Sequence, residues 1–189
     1  MRKPRIFVKT ALDNSKNILL SETQTHYLHN VLRLSLGDSV LLFNGMDGEW
    51  CGSINRSSKK RCTISLCKKV REQKSNSDLW LLFAPLKRTN MDLLARKATE
   101  LGVGALGPVF TEHTNVKRIN LQRLHSNTIE AAQQCERLTV PKVFEPITLT
   151  DLINNWEDDR WLFFCDETGA GAPIIDSLNK HYATGEFAP

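Results

Sequence analysis

The side chains best suited to chemistry fall in two blocks, Lys97-Ala98-Thr99-Glu100-Leu101-Gly102-Val103 and Ile129-Glu130-Ala131-Ala132-Gln133-Gln134-Cys135-Glu136-Arg137-Leu138-Thr139-Val140-Pro141. Each sets charged and amide groups on one face of a helical repeat whose other face is apolar, which a purely structural helix does not require. In the second block Glu130, Gln134 and Arg137 stand at i, i+4 and i+7 and share a face, with Ala131, Cys135 and Leu138 on the adjacent one. A guanidinium flanked by a carboxylate and an amide suits a phosphate or a base edge. The same three groups suit an internal Glu–Arg network equally well. In the first helix, Asp92/Arg96 and Arg96/Glu100 read as solvated i, i+4 ion pairs. Lys87 and Arg88 directly follow an apolar run and so sit at the carboxyl end of a strand, where open α/β sheets build their sites. The segment from Thr111 to Arg118 follows another strand and contains His113, which is either a base near neutral pH or an exposed loop histidine. Asp166 and Glu167 close a third apolar run and could line a cofactor cleft. The Gly-x-Gly after them is too short for a dinucleotide fingerprint, and no P-loop, nucleophile elbow or zinc-protease motif occurs.

The elements that must hold these residues change character along the chain. Residues 1–72 read as a small β-barrel. Val40–Phe43 leads through the turn signal Asn44–Gly48 into Glu49–Ile54, and Cys62, Ile64 and Leu66 alternate with polar residues as a half-buried strand does. One helix from Ser21 to Leu32 interrupts the strands, with Ser21 as N-cap and Leu28, Val31 and Leu32 facing inward. Residues 73–78 lack an apolar anchor and read as a linker. From 79 to 189 strand and helix alternate, which predicts an open parallel sheet. The strands are Leu79–Ala84, covered on both faces, then Ala105–Phe110, Lys142–Glu145 and a buried Trp161–Cys165. The helices run from Met91 to Leu101 with Gly102 as stop, from Leu121 to Leu138 with Asn120 as N-cap, after Thr150, and from Pro173 to His181.

Hydrophobic residues make up 41% and charged residues 24% of the 189, an ordinary globular balance without a run long enough to span a bilayer or serve as a secretory signal. The chain therefore reads as cytoplasmic. Its five cysteines include no C-x-x-C and read as reduced thiols, with no clustered ligand set for a metal. The net charge of +4 is uneven: residues 1–78 carry 14 Lys+Arg against 7 Asp+Glu, and residues 79–189 carry 11 against 14. Clusters at Arg2/Lys3/Arg5/Lys9, Lys59/Lys60/Arg61 and Lys68/Lys69/Arg71/Lys74 point to a polyanion, since phosphate neutralisation releases counterions.

The order and spacing of several blocks resemble the bacterial 16S ribosomal RNA uracil-N3 methyltransferases of the SPOUT (trefoil-knot) superfamily. The blocks are Arg5-Ile6-Phe7, His26-Tyr27-Leu28-His29-Asn30-Val31-Leu32-Arg33-Leu34, Gly37-Asp38, Phe43-Asn44-Gly45, Lys97 to Val103, Thr111-Glu112, Glu130-Ala131-Ala132, Arg137 and Val140-Pro141. The resemblance implies a PUA-like barrel that grips RNA and a knotted domain that binds S-adenosylmethionine and dimerises. It also implies methylation of one uridine of the small ribosomal subunit. Seen through it, Arg5, Arg33, Lys59, Lys60, Lys87, Arg88 and Arg137 are the expected RNA contacts. Glu130 and Gln134 line the expected active cleft, and Asp166 and Glu167 its cofactor side; the catalytic base is unassigned.

Two residues depart from the family pattern: His113 stands where an Arg is usual, and Gln133-Gln134 replaces Glu-Gln. The family's Gly-Pro-Glu-Gly-Gly cofactor loop and its later Leu-Arg segment have no counterpart up to Pro189. The expectation is an incomplete knotted domain that binds RNA with little or no methyl transfer. A non-catalytic RNA-binding or ribosome-assembly protein is the second reading, and a module whose basic barrel binds protein is the third.

Overall fold

The computed structural model describes residues 3–14, 17–57, 61–166, 168–169 and 171–183, with the backbone only for residue 57 and residues 180–183. The chain forms two compact units, residues 1–152 and 153–189. Both sheets belong to the first.

The first sheet has the order β1 (Arg5–Phe7), β3 (Ser39–Phe43), β4 (Glu49–Ser57), β5 (Cys62–Arg71), β2 (Asn17–Leu19). Only the β1–β3 pair is parallel. Ladder shifts at three places along β4 and β5 strengthen the twist and curl the sheet into a half-barrel. Inside lie Ile6, Leu28, Leu42, Trp50 and Ile64. The expected alternation of Cys62, Ile64 and Leu66 is present, all three buried.

The helix expected over 21–32 is a composite. α1 (Glu22–His26) starts at Ser21 with a full capping box: the Ser21 hydroxyl accepts from the Gln24 amide, and the Gln24 side chain accepts from the Ser21 amide. It then widens into a π-helical turn, Tyr27–Val31. The extra residue rotates the face, so Leu28 is buried while Val31, expected inside, is 58% exposed.

The second sheet is β6 (Trp80–Phe83), β7 (Ala105–Phe110) and β8 (Lys142–Val143), all parallel, with β9 (Ile147–Thr148) also parallel to β7. α2 (Arg88–Glu100) and α3 (Leu121–Gln134) pack on it through Ala95, Ala98, Leu106 and Leu124. The linker expected at 73–78 carries no strand or helix and passes so close to Gly104 that a Cβ there would overlap the carbonyl oxygen of Ser77.

Several expectations change. β6 is only half-buried and, among the described strands, stands at the edge of the sheet beside β7. Leu101, expected on the inner face of α2, is 83% exposed, since the helix has ended at Glu100 and Gly102 turns the chain at φ +97°. α3 begins at its Asn120 cap as expected but stops at Gln134, four residues early, where Glu136 adopts φ +61°. Lys142–Glu145 shrinks to two strand residues, and the next helix, α4 (Leu149–Asn154), starts before Thr150. The segment Trp161–Cys165 forms no strand among the described residues and is not fully buried: Trp161, Leu162 and Phe163 are partly covered, while Phe164 is 81% exposed. α5 (Ile174–Ala183) matches the helix expected from Pro173.

Candidate nucleic-acid interface

β1 is covered on both faces, Ile6 facing the barrel core while Arg5 and Phe7 face the end of α3. Arg5 is 6% exposed and its guanidinium is fully engaged. Nε donates to Glu49 Oε1 at 2.5 Å, Nη1 to the carbonyls of Ala132 and Gln133 at 2.7 and 3.0 Å, and Nη2 to that of Arg137 at 3.1 Å. The same group lies 4.4 Å from the centroid of Phe43. Arg5 thereby satisfies carbonyls that the end of α3 leaves open, at the pole that favours a cation. Arg71 reinforces it, donating to the Glu136 carbonyl at 2.8 Å and approaching Glu49 at 3.6 Å. The expected RNA contact through Arg5 is therefore corrected to an internal clasp.

Arg137 is corrected in the same way. With α3 ending at Gln134, it leaves the face of Glu130 and Gln134. Its guanidinium donates to Thr139 Oγ1 at 2.9 Å, the Thr99 carbonyl at 3.0 Å and Asn76 Oδ1 at 3.0 Å, tying the post-helix turn to α2 and the linker. Burial pushes its pKa below the ordinary arginine value. The Asp92/Arg96 pair also gives way, as Asp92 takes a two-point bridge from Arg123 of α3, at 2.8 and 2.5 Å, and a bond from Asn127 at 2.6 Å. The Arg123 bonds hold the Asp92 carboxyl down at about 2.

Next to the Arg5 clasp, α1, the π-helical turn, β1 and α3 enclose a cleft of about 1120 Å³. Lys3, Tyr27, Arg33, Glu130 and Gln134 line it. Its floor is fixed by a relay of hydrogen bonds: Gln24 Nε2 donates to the Phe7 carbonyl at 2.7 Å, and the Phe7 amide donates to Gln133 Oε1 at 2.9 Å. Gln134 Nε2 lies 3.3 Å from Glu130 Oε1, aligning an amide and a carboxylate on the exposed face of α3. Arg33 holds φ +55°, a left-handed geometry that closes the π-helical turn while the Leu34 amide bonds back to the Leu28 carbonyl at 3.0 Å. A non-glycine residue there stores strain of the kind found at functional sites.

Of the expected site residues, the cleft brings together Arg33, Glu130 and Gln134, with the buried Arg5 at its wall. Lys87 and Arg88 are exposed at the start of α2, and Arg88 lines a separate cavity. Lys59, Lys60 and Glu167 lie outside the described residues. Asp166 is exposed in the second unit, its carboxylate accepting from the Thr168 amide and hydroxyl at 2.9 and 2.6 Å, and it is held below the ordinary carboxylate range by those bonds. Every described residue from 161 to 176 is exposed. His113 sits exposed in the loop after β7. Tyr27, Gln24 and Gln133 were absent from the expected site; the Ser-x-x-Gln spacing of 21–24 is the one local signal that placed Gln24 on a helix end.

Comparison with known proteins places these features in a family. The RNA methyltransferase domain family matches residues 73–186, and the RNA methyltransferase PUA domain family matches residues 20–67. Ribosomal RNA small subunit methyltransferase E of Rickettsia conorii is 35% identical over 154 residues, covering 81% of this chain and 63% of the relative. The protein of that name from Buchnera aphidicola of Acyrthosiphon pisum is 31% identical over 169 residues, covering 85% and 67%. The chain thus spans a little under two thirds of the Rickettsia relative's length. A Legionella pneumophila methyltransferase solved with bound cofactor SAM superposes at TM-score 0.69 and 26% identity, covering 82% of this chain and 67% of that one. The Neisseria gonorrhoeae ribosomal RNA small subunit methyltransferase E superposes at 0.72 and 23% identity, covering 84% and 67%, which supports the fold. With more than half its length matched by one domain family and a PUA match in the half-barrel before it, the chain belongs to the RNA methyltransferase family.

Proposed function

We propose that this protein serves the S-adenosylmethionine-dependent methylation of a uridine at N3 in 16S ribosomal RNA, and that residues 1–152 carry its RNA-binding part. The observation that carries the reading is the cleft beside α3, in a chain of this family, where a carboxylate and an amide are set side by side opposite a tyrosine and two cations. Uracil offers an N–H at N3 between two carbonyls. Glu130 accepts from the first and the Gln134 amide donates to one of the second, while Tyr27, 41% exposed, supplies a stacking face. Lys3 and Arg33 hold backbone phosphates at the rim. S-adenosylmethionine, which the Legionella relative holds, supplies an electrophilic methyl group when bound. The chain's own residues orient the ring and favour loss of its N3 proton by positioning. The cofactor site is not built by Asp166 alone, so no step is assigned to that residue. The reading sets the protein in the cytoplasm with its ribosomal partner and, like the wider family, as a homodimer; no helix among the described residues is long and apolar enough to cross a membrane.

The test is paired. The chain is titrated with a 16S fragment over a salt series, and small-subunit particles incubated with chain and S-adenosylmethionine are digested and scanned for 3-methyluridine. Salt-steep binding with the modified nucleoside supports the full reading. Binding without it favours the second reading, a non-catalytic RNA-binding or assembly role. Salt-insensitive affinity sinks both.

A further inference from the structure

A second cavity, of about 460 Å³, lies in the same compact unit and shares no residue with the cleft. Leu86, Met91, Val116 and Leu124 give it an apolar side, and its rim carries Arg88, Arg118 and Arg123. The single carboxylate among its lining residues, Asp92, is spent on the two-point bridge from Arg123 and kept ionised by it. Arg88 and Arg118 are exposed and form no salt bridge among the described residues, although Arg88 lies near enough to Asp92 to act on it electrostatically. The cavity is bounded by the segments that follow β6 and β7, at the carboxyl ends of parallel strands. A partly apolar slot of this size, rimmed by the Arg88 and Arg118 guanidinium groups, is complementary to a planar base bearing a phosphate, and its volume falls in the range of small-ligand sites.

We propose that this cavity binds one unstacked nucleotide of the RNA substrate, its base against Met91 and Leu86 and its phosphate on Arg88 and Arg118. The assignment rests on the RNA-binding reading above and adds a second point of contact to it. Two contacts on one compact unit make the chain read a strand rather than an isolated nucleotide.

The probe is uridine 5′-monophosphate, titrated into the 189-residue chain by calorimetry and by ligand-observed NMR, with uridine and inorganic phosphate run beside it. Saturable binding of the monophosphate, about tenfold tighter than of either half, is expected. Arg118→Glu should weaken it about tenfold or more, whereas Lys117→Glu makes the same charge change one residue away from the lining and should have little effect. A short oligouridylate should displace the monophosphate. No saturation, or equal losses in the two variants, overturns the site. Saturation without displacement overturns the RNA assignment and leaves a free-nucleotide site. If the 16S fragment fails to bind while the monophosphate behaves as expected, the functional reading falls and the cavity stands; the reverse pattern removes the cavity alone.

Discussion

The clasp around Arg5 and the cleft beside it flank the same end of α3 and draw on the same residue types, yet they do opposite things. In the clasp, guanidinium groups meet carbonyls and a buried carboxylate at 2.5–3.1 Å, away from water. In the cleft, Arg33 and Glu130 face solvent, with Gln133 and Gln24 tied down beneath them. Charge that has found protein partners holds the half-barrel to α3; charge left facing solvent is what a polyanion can use. Exposure and pairing, rather than residue type, separate the two regions.

Arg5→Ala breaks that division most severely. It leaves three carbonyls without their donor and Glu49 with only the longer contact from Arg71, in a buried site, and a loss of about 3 kcal/mol is expected, read as a lower midpoint in denaturant unfolding. Replacement by a well-packed hydrophobe at both Arg5 and Glu49 should cost clearly less, because no charge is left behind. A double substitution as damaging as the single one would show that the carbonyls, and not the buried carboxylate, dominate.

Gly104→Ala comes next. Its methyl would collide with the Ser77 carbonyl, where the linker crosses toward the Asn76 contact with Arg137, and overpacking of this kind costs roughly 1–3 kcal/mol. An unchanged melting temperature would mean that the linker gives way freely.

On the cleft side Arg33→Gly should split the two properties. Relief of the left-handed backbone raises stability by about 0.5–1 kcal/mol, while RNA affinity falls and the slope of log K against log salt shrinks by about one. Loss of both stability and affinity would place Arg33 with the clasp instead.

The smallest effect concerns His125, whose pKa is pushed below 6.5 by burial first and by Lys9 second. The folded chain then binds fewer protons than the unfolded one between the two values. Stability from this group is present in full above pH 6.5 and declines as pH falls through the lower folded value. His125→Gln should flatten that part of the profile in a pH series of unfolding midpoints. A profile identical to the parent would show that another group sets it.

Local signals foretold much of the framework because they depend on neighbours in sequence. The Ser21 and Asn120 caps, the alternation of Cys62, Ile64 and Leu66, the turn at Asn44–Gly48 and the stop at Gly102 were all legible. The site was less so. Arg33, Glu130 and Gln134 do share a cleft, but Arg137 left that face because α3 ended early, and Arg5 sat in a basic cluster whose composition resembles a solvated surface. Trp161–Cys165 had a strand's composition but forms no strand among the described residues.

By itself the sequence determined the family, the order of half-barrel and parallel sheet, and the uneven charge, since motif spacing, hydrophobic period and charge counts are properties of the chain. Only the tertiary structure decided which cations are sealed in and which are offered, and that two separate cavities share one compact unit. The reason is physical: a guanidinium's role is set by the carbonyls and carboxylates that come within about 3 Å of it, and those come from residues up to 132 positions away in the chain.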